Sequence, residues 1–150
     1  MSSLLHKLRL EHPTITFFAD SQFAWSPESR TVHYNTGEPQ AAALLLHELS
    51  HGLLEHTTYT RDIELLAMEA AAWDKAKQLA DQYHVAISDD TAEDNLDTYR
   101  DWLHARSTCP ACEATGYQSA SATYACPACL NTWTVNEARV CALRRYSTAK

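Results

Sequence analysis

Two clusters in this 150-residue chain have the residue types and the spacing of metal ligands. The first is His47-Glu48-Leu49-Ser50-His51. Residues four apart share a face of a helix, so His47 and His51 can each present an imidazole nitrogen to one ion. Zn²⁺ accepts such ligands, and in a catalytic site it takes three from the protein and keeps one position for water. Glu48 follows the first histidine directly. Its carboxylate can take a proton from that water, whose pKa the ion lowers towards neutrality. The second cluster is Cys109-Pro110-Ala111-Cys112 with Cys126-Pro127-Ala128-Cys129. Two Cys-x-x-Cys knuckles thirteen residues apart make a tetrahedral Cys₄ zinc site that is closed to water and hence structural. The expected complement is one catalytic and one structural Zn²⁺.

The elements that must position these residues are legible nearby. Residues 39–56 form the first long helix, with Pro39 suited to its first position and residues 41–46 strong helix formers. Its apolar flanks make it a mostly buried helix, so two histidines and a glutamate there need a compensating reason. Gly52, inside it, costs helix stability and implies close packing. A second helix spans residues 61–84. Leu65, Leu66, Glu69, Ala72, Trp73, Ala76, Leu79 and Ala80 recur at helical spacing and define its buried stripe. A carboxylate in that stripe is costly unless it is paired or ligates a metal, which makes Glu69 the leading third ligand. Glu64, nearer the polar side, and His56, turned off the motif face, are the alternatives. Tyr59, Tyr83 and His84 are candidate donors to the oxyanion of a tetrahedral intermediate.

Ahead of the motif, residues 4–12 suit a short amphipathic helix that Pro13 stops, and residues 14–19 read as a strand. Residues 23–25 and 31–34 flank a Pro-containing turn, a hairpin signal. A third helix covers residues 91–105, after the start signal Asp89-Asp90-Thr91. From residue 107 the composition changes to Cys, Pro, Thr, Tyr and Ser. The domain boundary is placed there, giving 1–106 and 107–150. Gly116-Tyr117, Ala122-Thr123-Tyr124 and residues 132–135 suit β-hairpins of a zinc ribbon, whose small core leaves bound zinc to supply most of the folding energy. Cys141 is left over, and a buried apolar position is expected for it.

The His-Glu-x-x-His pentad followed on the next helix by Glu69-x-x-Ala72-x-x-x-Ala76-x-x-Leu79-Ala80 resembles the Glu-zincins, and within them the ImmA/IrrE-like metallopeptidases. The resemblance covers roughly residues 14–84. It implies an α+β fold: a minimal zincin-type domain with a small antiparallel sheet, the motif helix under it and three to four helices in all, here followed by the ribbon. It makes His47, His51 and Glu69 the ligands and Glu48 the general base of a zinc metallopeptidase. A peptidase with a C-terminal ribbon also resembles the SprT-like proteases, which act at DNA, but their third ligand is a histidine, and that likeness ranks second. A zinc-stabilised regulatory or adaptor protein without peptidase activity is the alternative from another class, and the presence of Glu48 weighs against it.

Charge bears on partners. The net charge is −7. Residues 107–150 carry Arg139, Arg144, Arg145 and Lys150 against Glu113 and Glu137, so the body carries the acid. An acidic body disfavours nucleic acid. The tail's arginines with Trp133 and Tyr146 offer at most a thin cationic–aromatic surface, so nucleic acid is an unfavoured partner that stays open. A peptide or protein substrate and a protein partner at the ribbon are the partners expected. No stretch approaches a membrane span of about 20 apolar residues, and charge breaks residues 1–9 before a leader's apolar run develops. Cysteines spaced as metal ligands fit a reducing compartment, so the cytoplasm is the expected location.

Overall fold

The computed structural model describes residues 1–139 and 141–148. Lys150, counted in the tail's charge, lies outside them. The chain forms two compact units: Met1–Thr58 with Ala67–Ala92, and Tyr59–Leu66 with Glu93–Lys150. The fold class is α+β, with four helices and two small sheets among the described residues.

The first unit opens with α1 (Ser2–Glu11), which buries Leu5 and Leu8 three residues apart. A three-stranded sheet follows: β1 (Thr16–Ala19), β2 (Ala24–Ser26) and β3 (Thr31–Tyr34), in the order β1-β3-β2. The β2–β3 hairpin is antiparallel as expected, with Trp25 opposite Val32. The sheet is not antiparallel throughout, however. β1 runs parallel to β3, Phe17 pairing with Val32 and Phe18 with His33. The reason is the central place of β3 between two short chain reversals, which leave β1 and β3 running the same way. β3 is the most buried strand, with Thr31, Val32 and Tyr34 all inside. It takes the centre, where both edges are paired, and the chain from β1 must pass over that position to reach β2. The short passage is held by the backbone N–H of Asp20 on the Tyr34 carbonyl and by the Asn35 side-chain amide on the Ser21 carbonyl.

Helix α2 (Ala41–Leu53) packs against β3 and β2. It starts later than the sequence suggests: Pro39 stands in the turn before it, and the backbone N–H of Ala41 donates to Glu38 instead. Helix α3 (Asp62–Tyr83) matches the expected span closely, and α4 (Asp89–Ser107) begins two residues earlier than expected. The N-cap of α4 is Ser88, whose Oγ accepts the Thr91 N–H at 3.1 Å. The buried side chains of α3 include Leu65, Glu69, Ala72, Trp73, Ala76, Leu79 and Ala80, so the apolar period of this helix carries its buried face. None of the helices among the described residues is long and apolar enough to cross a membrane.

The second unit carries an antiparallel sheet of β4 (Tyr117–Ala120), β5 (Thr123–Ala125), β6 (Thr132–Val135) and β7 (Arg145–Ser147), in that order. The hairpin strands lie where the sequence places them, and β7 is an addition. Cys109, Tyr124, Cys126, Trp133 and Val135 form the core, with Tyr124 stacked on Trp133. The compositional break at residue 107 and the contact units divide the chain differently, because residues 59–66 and most of α4 pack with the second sheet. Asp62 explains this. Its Oδ2 accepts from Arg106 Nε and from the Tyr124 hydroxyl, each at 2.5 Å, and both charged partners are buried. A buried ion pair left without either member strands a charge, so the start of α3 is bound to this unit by electrostatics that no hydrophobic period reveals.

Candidate metal centres

Helix α2 delivers His47 and His51 to one face, one turn apart, and α3 delivers Glu69 opposite them. His47 Nε2 lies 3.1 Å from Glu69 Oε2, His51 Nε2 lies 3.5 Å from the same oxygen, and the two Nε2 atoms are 3.2 Å apart. Exposures of 3%, 7% and 5% put His47, His51 and Glu69 all inside the protein. Their donor atoms lie within 4.8 Å of one another, close enough to hold one ion. Among the described residues Glu69 has no lysine or arginine partner; its ion pairs are with the two histidines. Burial alone would raise the Glu69 pKa. Hydrogen bonds from His47 and His51, with their charges, outweigh it and hold the carboxyl down to about 2.

The alternatives for the third donor are engaged elsewhere. Glu64 accepts the backbone N–H groups of Thr60 and Arg61 at 2.8 and 3.0 Å, closing the N-terminus of α3 as a capping glutamate does. His56 turns Nδ1 to the far nitrogen of His51, Nδ1, at 2.9 Å. Of the candidate oxyanion donors, the Tyr83 hydroxyl donates to Glu11, His84 ends α3 with φ 56°, and Tyr59 belongs to the second unit.

Glu48 is half-buried on the same turn as His47. Burial pushes its carboxyl up and Glu69 adds to that, against His47, His51 and a backbone hydrogen bond from Trp25. Trp25 also donates its indole N–H to the His56 carbonyl at 2.9 Å. Its ring lies where a Cβ on Gly52 would stand, 2.9 Å from Cζ3. That is the close packing which the glycine in this helix implies. The His47 ring stacks on Trp73 with centroids 4.4 Å apart, and its Nδ1 has no hydrogen-bond partner although it is buried. The sequence places Trp73 on the buried stripe, but nothing in it shows that the indole backs a histidine.

The fit to a metal ion rests on these observations. Two imidazoles and a carboxylate converge in a buried place, where desolvation is offset by their pairing with one another or by a cation between them. Such sites take divalent ions that accept nitrogen and oxygen.

The four knuckle cysteines also meet. Cys109 Sγ is 3.7 Å from Cys129 Sγ, and Cys112 Sγ is 3.5 Å from Cys126 Sγ, with all five cysteines free of disulfides. Burial would raise the Cys109 thiol, but the N–H groups of Ala111 and Cys112 and the nearby thiols bring it down. The Cys129 N–H likewise lowers Cys126. Against an N–H from Ala114, the thiols of Cys129 and Cys126 push Cys112 up. Knuckle amides aimed at sulfur favour thiolate, the form that binds metal. Cys141 stands outside the cluster and is exposed, not the buried apolar residue expected; its sulfur accepts from the Asn136 amide.

Of the tail residues suggested for a cationic–aromatic surface, Arg144 and Tyr146 are exposed and the others are engaged within the protein. Trp133 is fully buried, Arg145 donates twice to the Ala105 carbonyl, and Arg139 lies over the Tyr99 ring and donates to its hydroxyl. Comparison with protein-family models, with curated proteins and with solved structures finds no match to this chain.

Proposed function

We propose that this chain is a zinc-dependent peptidase of the His-Glu-x-x-His type, with His47, His51 and Glu69 holding the ion and Glu48 as general base. One observation carries the proposal: three buried donors of the set zinc prefers converge beside a half-buried glutamate on the same helical turn. Zinc held there would polarise a peptide carbonyl and make a water acidic enough to attack near neutral pH. The chain's own part is proton handling and positioning. The Glu48 carboxylate takes the proton of the attacking water and passes it to the leaving amine. The Trp25 backbone bond orients that carboxylate, and the Trp73 stack fixes the His47 ring. This assignment agrees with the resemblance to the ImmA/IrrE-like Glu-zincins. The four cysteines would hold a second, structural zinc beside the second sheet.

The test is Glu48→Gln in the full chain, incubated with an unfolded polypeptide. The variant should hold as much zinc as wild type and cleave at least about a hundredfold more slowly, the usual contribution of a positioned base. Cleavage at the wild-type rate would refute the mechanism. Absence of cleavage by wild type on a broad panel of unfolded and folded proteins would favour the non-catalytic adaptor.

A further inference from the structure

His51 uses both ring nitrogens. Nε2 faces the donor cluster, and Nδ1 faces His56 Nδ1 at 2.9 Å, with the rings edge to face at 4.9 Å and 69°. A contact between two ring nitrogens holds one proton, so one imidazole donates and the other accepts. For His51 to offer an Nε2 lone pair to an ion, its single N–H must sit on Nδ1. His56 must then accept at Nδ1 and carry its own proton on Nε2. The opposite arrangement places a proton on His51 Nε2, in the middle of the donors.

The backbone holds His56 where this choice is made. The chain turns back just after α2 at Glu55, φ 54°, and the His56 N–H donates to the His51 carbonyl at 3.0 Å. The Trp25 indole then donates to the His56 carbonyl. Both restraints act on the main chain, so they survive replacement of the His56 side chain. His47 has no such partner: its Nδ1 is buried and unpaired, and besides its Nε2 contacts with Glu69 and His51 its ring is held by the stack on Trp73. The two histidines are therefore supported by different means, and of the two only His51 has a partner on Nδ1.

We propose that His56 is a positioning residue that accepts the Nδ1–H of His51 and thereby holds the His51 Nε2 lone pair towards His47 and Glu69. This rests on reading the cluster as a metal centre. Partners of this kind on the second nitrogen of a ligating histidine are worth roughly 10–100-fold in metal affinity.

The experiment uses the full chain in three forms: wild type, His56→Phe, which keeps a ring but no acceptor, and His56→Gln, whose amide oxygen can accept. Zinc affinity is read by competition with a chromogenic chelator, and the His51 tautomer by ring-nitrogen NMR of the chain stripped of metal. Wild type should show a larger share of the Nδ1–H form than His56→Phe does. His56→Phe should lose that preference and bind one of its two zinc ions roughly 10–100-fold more weakly, with the cysteine-bound ion unaffected. His56→Gln should recover most of the loss, which a merely space-filling role would not produce. Wild-type affinity and tautomer in His56→Phe, or a glutamine variant no better than phenylalanine, overturns the proposal alone. Equal zinc content in wild type and His47→Ala overturns the metal-centre reading, and this proposal with it.

Discussion

Gly52→Ala sets two effects of opposite sign against each other. In an ordinary helix interior the change stabilises by up to about 1 kcal/mol. Gly52 has no positive φ, so the backbone accepts alanine. It is the last residue but one of α2, where the propensity gain is smaller still. Space decides the outcome. The added Cβ would stand 2.9 Å from Trp25 Cζ3, 3.1 Å from Cη2 and 3.2 Å from Ile15 Cδ1. Overpacking of this kind costs about 1–3 kcal/mol. Rotating the indole away does not avoid the cost, because it breaks the bond to the His56 carbonyl, worth about 1 kcal/mol. The net expectation is a loss of about 1–2 kcal/mol, or a fall in Tm of about 2–8 °C for a chain of this size. Thermal melting followed by circular dichroism measures it, with the zinc-loaded chain as a second arm, where the displaced Trp25 should also weaken the histidine-bound ion. A variant at or above the wild-type Tm would refute the account, since it would mean that the indole does not press on the helix at this point.

Other substitutions test the remaining parts. Glu69→Ala should reduce zinc from two ions per chain to one by elemental analysis, whereas Glu64→Ala, which removes only the α3 cap, should keep both. Asp62→Ala leaves Arg106 buried without its carboxylate and should cost about 3–5 kcal/mol in denaturant unfolding; a loss below about 1 kcal/mol would show that the arginine finds water. Gly116→Ala should be more damaging than Gly52→Ala, about 3 kcal/mol, because the new Cβ would meet the Trp133 ring and, at 2.7 Å, the Ala125 carbonyl, a backbone atom that cannot swing aside. Equal stability of the two glycine variants would contradict that difference.

Much of this protein is written in short-range pattern. Histidines four apart specify one face of a helix, so helix geometry alone puts His47 and His51 together, with Glu48 next to the first of them in the chain. A single carboxylate in an apolar stripe marks Glu69, because an unpaired buried charge is too costly to be accidental. The knuckles, and the β2–β3 hairpin with its turn, are local in the same sense. What the tertiary structure decided depends on residues far apart in sequence, where periodicity carries no information. The buried strand β3 takes the centre of the sheet, and there it pairs parallel with β1, which lies on its far side from the hairpin partner β2. Asp62, which looks like an ordinary polar helix start, is buried with Arg106 and Tyr124, and so assigns residues 59–66 to the second unit. His56 turns to the outer nitrogen of His51, away from the cluster, because a tryptophan thirty-one residues earlier holds its carbonyl and a bare glycine lets that ring approach. Spacing along a chain determines which side chains share a face; only packing between elements determines which nitrogen of a ring is left free.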